Sequence, residues 1–210
     1  MVRSVGRPAK ASARLNKQII VEKALELLDE KGEAGVTFRA LARELDVTAM
    51  AVKHHVGSSL GLMTSLVDFV YEKAMELETP IVDLPSFKAR MELYCSNVLA
   101  HPNLLLAVFA DTRYYTQVML NLTEDIRAGL RVIGVRESDV PTLLNLLVDY
   151  TNGFALSAAA AMKSENADQL ARPVPTMDDY LRMLDFLLAR FIELPEAANT
   201  EASLGHGVHH

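Results

Sequence analysis

Residues 37–56 read TFRALARELDVTAMAVKHHV. Thr37 can cap a helix that places Leu41, Ala42 and Leu45 on one face, and a short break follows at Asp46-Val47. Thr48 is a good N-cap for a second helix over Ala49–His55, and Gly57-Ser58-Ser59 stops it and caps the next, which can run from about Ser59 to Glu78. Helices of about seven and eight residues are not stable alone and must be held by longer neighbours. Two short helices joined by a tight turn form the helix-turn-helix pattern.

The longer neighbours are visible on both sides. Upstream, Leu15, Ile19, Ile20, Ala24, Leu27 and Leu28 repeat at helical spacing from Arg14 to Lys31, and Gly32 and Gly35 end that helix in a tight turn. Downstream, Thr79-Pro80 interrupts the chain and Asp83-Leu84-Pro85-Ser86 caps a new start. Helical patterns then follow over about Ser86–Ala100, from Asn103, and over about Tyr115–Ile133, Asp139–Lys163 and Met177–Leu194, with a loop at Ala167–Thr176. No strand alternation persists, so the expected fold is all-α. Its parts are a flexible basic arm (1–13), a helix-turn-helix head (14–63), a helical-bundle body (64–194) and a disordered tail (195–210).

Composition narrows the function classes. The chain has 210 residues, half of them apolar, and a net charge of −6. Residues 1–63 hold ten Lys and Arg against seven Asp and Glu, while the remainder holds eleven against twenty. A basic head on an acidic body suggests that only the head meets a polyanion. The basic first residues on their own also fit a solvated tail. The single cysteine, Cys95, allows no internal disulfide and no cysteine metal site. No apolar run reaches the roughly 18–20 residues that span a bilayer, and the N-terminus lacks the apolar stretch of a secretory signal. The expected location is the cytoplasm, with no membrane partner.

The helix over 139–163 is apolar on almost every side, and the one over 177–194 has the same character. Surface of that kind is buried. A symmetric dimer built from both helices would cover it, as would a larger internal core. No catalytic constellation is present. Cys95 and His101 face apart, and the adjacent Glu124 and Asp125 suit a solvated face. No enzyme activity, metal or cofactor is expected.

The run ALELLDEKGEAGVTFRALARELDVTAMAVKHHV over Ala24–Val56 resembles the N-terminal domain of the tetracycline-repressor (TetR) family, which joins a helix-turn-helix head to an all-helical ligand-binding body. The resemblance is specific over residues 14–63. It is looser in the body, where LAHP at Leu99–Pro102 and DTR at Asp111–Arg113 resemble the tetracycline-repressor-like C-terminal domain. It implies that Thr37 and Arg39 approach phosphate and a base edge. It also implies that Thr48, Ala49, Met50, Ala51, Lys53, His54 and His55 form the start and exposed face of the recognition helix, with Val52 and Val56 packed inward. Ala49, Met50 and Ala51 then suit thymine methyl groups, Arg39 suits guanine, and Lys53 and His55 suit phosphate, with His54 able to reach either. Arg7, within a Gly-Arg-Pro arm, resembles a minor-groove contact. The chain departs from the family at three positions: Lys53 replaces a usual tyrosine, Ser59 a usual lysine, and Asp46 the usual glycine of the turn. Ser58 or Ser59 can still offer a hydroxyl to phosphate.

His54 and His55 raise metal binding as an alternative, but neighbours on a helix point about 100° apart, and helical ligand pairs prefer i, i+4. The favoured reading is two contacts to one duplex, which tighten as pH falls through the range where imidazoles gain charge. In the body, the resemblance implies a pocket between helices, with Met75, Arg90, Tyr94, Phe109, Arg113, Asn145, Asp149 and Asn152 as candidate lining. Asn145, Asp149 and Asn152 need polar partners, which a ligand or a second subunit could supply equally. Phe109 and Met75 stand where tetracycline-binding relatives use metal-chelate histidines, so the effector is expected to be another small, largely apolar molecule. The resulting expectation is a homodimeric, ligand-responsive repressor of a palindromic operator. The rival is a helical small-molecule-binding or scaffolding protein whose head binds DNA weakly and without sequence preference.

Overall fold

The computed structural model describes residues 15–75, 80–163 and 174–192, and the side chains of all of these but 74 and 75. The expected arm (1–13), with Arg7, and the tail (195–210) lie outside the described residues. Within them the helices are α1 (Lys17–Lys31), α2 (Phe38–Glu44), α3 (Ala49–Val56), α4 (Ser59–Met75), α5 (Leu84–Ala100), α6 (Pro102–Ala110), α7 (Gln117–Val132), α8 (Val140–Lys163) and α9 (Met177–Leu188). Short 3-10 turns occupy Glu33–Gly35 and Thr112–Tyr114. The β pairing among the described residues is limited to one isolated bridge, Val135 to Ile192.

Side-chain caps set most helix starts. Asn16 accepts from the Ile19 N–H at 2.9 Å, so α1 begins at Lys17 rather than at Arg14. Thr37 and Thr48 accept from the Ala40 and Ala51 N–H groups, each at 3.1 Å, as the sequence leads one to expect. Asp83 and Ser86 form a reciprocal capping box at α5, and Thr176 and Asp179 form another at α9. Two later boundaries also differ from expectation. Residues 112–114 form a 3-10 turn before α7, and α9 stops at Leu188 because the following residues turn towards the Val135–Ile192 bridge.

One buried cluster runs through head and body. In the head, Ile20, Ala24 and Leu28 of α1 meet Leu41 of α2 and Val52 of α3, all fully buried. In the body, Phe87, Met91 and Cys95 of α5 meet Leu143, Leu147 and Ala155 of α8 and Tyr180 and Leu184 of α9. Helix α4 belongs to both, packing on α1 and α3 at one end and on α5 and α7 at the other. The expected boundary at residue 63 falls within this helix, which is shared by head and body. No single helix among the described residues is long and apolar enough to cross a membrane.

Candidate nucleic-acid interface and ligand cavity

The outward face of the head is built by what its short helices bury. Val52 and Val56 are inserted into the core, each worth about 1.5–3 kcal/mol of apolar burial. Their burial turns Thr48, Met50, Lys53, His54 and His55 outwards together. With Leu15, Ala51 and Gly57 these residues form one open concave face. Met50 is 75% exposed beside fully buried Val52, so it is a hydrophobe held in solvent and not a core residue.

The electrostatics of this face have one sign. No Asp or Glu occurs between Asp46 and Asp68. Arg39 and Lys53 are exposed and have no ion-pair partner among the described residues. The Thr37, Thr48 and Ser58 hydroxyl oxygens accept from the backbone N–H groups of Ala40, Ala51 and Gly61. Each hydroxyl proton is left to donate outwards, as a phosphate oxygen requires. Ser59 is exposed at the first position of α4. The His54 and His55 rings stand edge to face, with centroids 5.6 Å apart and planes 76° apart, so they address different directions. Asp46, where the resembling family has glycine, adopts φ 51°. Asp is among the few residues that tolerate that region, and the Val47 N–H closes the turn onto the Ala42 carbonyl at 2.9 Å.

The body encloses a cavity of about 70 Å³. Tyr71 of α4, Tyr94 of α5 and Asn152 of α8 meet at its polar side. The Tyr94 hydroxyl donates to Asn152 Oδ1 at 2.8 Å, and burial pushes the Tyr71 and Tyr94 phenols well above their ordinary values. Leu105 and Phe109 of α6 and Met119, Thr123 and Ile126 of α7 supply most of the apolar wall. Phe109, Tyr115 and Leu120 are about half exposed and form the mouth.

Of the expected pocket residues, Tyr94, Phe109 and Asn152 converge here, and Arg90, Arg113, Asn145 and Asp149 do not line it. Arg90 is buried but faces Asp125 of α7, with Nε 3.2 Å from Oδ2. Arg113 is exposed and folds back onto Asp111. Asn145 and Asp149 are exposed on α8 and do not line the cavity. The side chain of Met75 lies outside the described ones. The sequence reading missed Tyr71 of α4, Tyr115 before α7, and Met119 and Thr123, which stand at i, i+4 on α7, a spacing shared with any core-facing pair.

The floor of the head is tied to this region. His101, at the 86° bend between α5 and α6, places Nδ1 2.8 Å from Asp29 Oδ2 of α1. The Asn103 amide donates to the Leu28 and Asp29 carbonyls at 2.8 and 3.0 Å, and the Tyr114 hydroxyl donates to Glu33 at 2.6 Å. Accepting that bond, the Glu33 carboxylate helps push the Tyr114 phenol up to about 12.

The fold recurs in solved structures. The chain is similar to the transcriptional regulator SCO7222, a TetR from Streptomyces coelicolor, at 25% identity and TM-score 0.66, covering 84% of this chain and 97% of that one. It is similar to BioQ, solved with its double-stranded DNA operator, at 24% identity and TM-score 0.60, covering 84% and 99%. It is also similar to a TetR variant from Acinetobacter baumannii, solved in complex with minocycline, at 23% identity and TM-score 0.60, covering 84% and 96%. No protein-family model and no curated protein matches the sequence.

Proposed function

We propose that the chain is a TetR-family regulator, a ligand-responsive repressor that binds operator DNA through α2, α3 and the start of α4. The observation that carries this reading is the carboxylate-free outer face of α3, with Thr48, Met50, Lys53, His54 and His55 turned out together by the burial of Val52 and Val56. A helix lying in the major groove offers its N-terminal residues to base edges and its cations to phosphate. Met50 and Ala51 are assigned to thymine methyl groups, Arg39 to guanine, Lys53 and His55 to phosphate, and His54 to base or backbone. Thr37, Thr48, Ala49, Ser58 and Ser59 frame these contacts, and Arg7 extends them from the arm.

The proposed units are the head (14–63) and the body (64–194), with the effector held in the body cavity at Tyr94, Phe109 and Asn152. The proposed assembly is a homodimer through α8 and α9, where Leu146, Met162, Met183 and Phe186 are exposed hydrophobes. Two heads would then address a palindromic operator. The effector would act through its unequal affinity for the two arrangements of those heads. No chemical turnover is assigned to the chain.

Selection of bound duplexes from a random pool at physiological salt, repeated with His54→Ala and Lys53→Ala, tests the reading. A palindromic winner whose enrichment falls in both variants is expected. Salt-sensitive binding with no enriched sequence would instead favour a small-molecule-binding protein whose head has lost sequence reading.

A further inference from the structure

We propose that the body cavity recognises an uncharged, partly aromatic ligand through a carbonyl-type oxygen that accepts from the side-chain amide of Asn152. This rests on the reading of the body as the effector-binding unit and names the chemistry that the unit accepts.

The first observation is an exclusion. None of the side chains lining the cavity is charged. A carboxylate, phosphate or ammonium group entering it would give up its hydration with no counter-charge to meet, so charged compounds are rejected. No histidine or carboxylate lines the wall, so a metal chelate has no protein ligand there.

The second observation is a committed amide. Asn152 is 6% exposed, and among the described residues the one hydrogen bond of its side chain is that which its Oδ1 accepts from Tyr94. That bond orients the amide and leaves both N–H donors of Nδ2 without a protein partner among the described residues. An amide N–H₂ that opens onto a largely apolar cavity calls for an acceptor there. Burial keeps the Tyr71 and Tyr94 phenols protonated, so the polar side of the cavity offers donors and no anion.

The third observation is shape. The Tyr71 and Tyr94 rings stand 6.4 Å apart at 46° and wall the polar side, and Phe109 and Tyr115 stand at the mouth. The enclosed volume of about 70 Å³ is far below that of a site for a drug-sized ligand. The acceptor-bearing end of a flat molecule enters, and the remainder rests between the half-exposed side chains of the mouth.

Three probes of one size and shape test this with the full chain: acetophenone, ethylbenzene and benzoate, titrated by calorimetry at pH 7.5. Acetophenone is expected to bind saturably and at least tenfold more tightly than either other probe. In Asn152→Leu its affinity is expected to fall to that of ethylbenzene. Asn152→Asp, which replaces the donor by an acceptor of the same shape, is expected to lose acetophenone as well, so a misfolded leucine variant does not decide the matter. Benzoate binding as tightly as acetophenone, an acetophenone preference that survives both substitutions, or no saturable heat from any probe would overturn the proposal. Operator binding is measured separately. Acetophenone that binds but leaves DNA affinity unchanged counts against the effector reading alone, whereas operator release by benzoate but not by acetophenone counts against the ligand class alone.

Discussion

His101 and Asp29 join the body to the head. The imidazole at the α5–α6 bend and the carboxylate near the end of α1 lie 2.8 Å apart, while the second carboxylate oxygen, Oδ1, is buried without a hydrogen-bond partner. Asn103 adds two bonds to the carbonyls that end α1. The same segment carries Leu105 and Phe109 on its cavity side. A shift of α6 caused by a ligand therefore pulls on α1 directly.

The asymmetry at Asp29 gives a testable ordering. His101→Ala leaves a mostly buried carboxylate with neither oxygen satisfied, and leaving a polar group unpaired costs more than removing both members of a pair. Because both side chains are partly solvated, the expected loss is modest, about 1 kcal/mol, or roughly 2–4 °C in Tm. The double variant with Asp29→Ala is expected to be more stable than His101→Ala alone. Thermal unfolding of the single and double variants measures the coupling, and strict additivity would show that the pair does not act as a latch.

Asp46 tests the turn. Its φ of 51° is open to Asp and Gly and strained for a β-branched residue. Asp46→Gly is expected to leave stability unchanged within about 0.5 kcal/mol, and Asp46→Val to cost about 1–3 kcal/mol. Urea unfolding checks both. Equal midpoints for the two variants would mean that the backbone there relaxes without strain.

The head was legible in the sequence because its information is local. Thr37 and Thr48 announce helix starts by capping, Gly57 announces a stop, and Val52 and Val56 at i, i+4 point inwards. The cavity was not legible in the same way. Tyr71, Tyr94, Tyr115 and Asn152 come from different segments: three have the helical spacing of an ordinary core residue, and Tyr115 lies between helices. Asn145, Asp149 and Asn152 do share a stripe of α8, as their spacing implies. The cover over that stripe changes along the helix: Tyr94 of α5 lies over Asn152, whereas Asn145 and Asp149 face solvent. Spacing along one helix carries no information about what packs over it.

Asp179 links α9 to pH. Its carboxylate accepts from the Thr176 N–H and hydroxyl and pairs with Arg182, which lowers its pKa from 3.8 to about 2. A folded-state pKa below the unfolded one adds stability that is fully present above the unfolded value and lost as pH falls through the folded value. The contribution is therefore expected to be intact above about pH 5 and to fade between about pH 4 and 2. Unfolding midpoints of the native chain and Asp179→Asn should differ at pH 6 and converge by about pH 2. A gap that stays constant with pH would assign the effect to shape and not to charge.

Arg39 and Lys53 separate base reading from phosphate anchoring. Removing a phosphate contact weakens binding to all sequences alike and lowers the salt slope by about 1, whereas removing a bidentate guanine contact costs about 1–3 kcal/mol at one position only. Lys53→Ala is expected to do the first and Arg39→Ala the second. Affinities for the selected operator and its single-base variants, taken across a salt series, distinguish them. A uniform loss in Arg39→Ala would reassign that residue to the backbone.

Gly61 sets how closely α4 meets the end of α3. A Cβ placed there would stand 2.5 Å from the Val56 carbonyl oxygen, a backbone atom that cannot rotate aside. The Gly61 N–H is held by Ser58, and its carbonyl accepts from Ser65 at 2.7 Å, so the position is pinned on both sides. Gly61→Ala should therefore move α3 relative to α4 instead of relaxing locally. The opposing effect is small, since alanine improves helix propensity by about 1 kcal/mol over glycine. The net expectation is a destabilised head, with Tm lowered by several degrees and operator affinity reduced at least tenfold, although no DNA-facing side chain has changed. If Gly61→Ala bound operator normally, the spacing of α3 and α4 would not control the fit of the head to the groove.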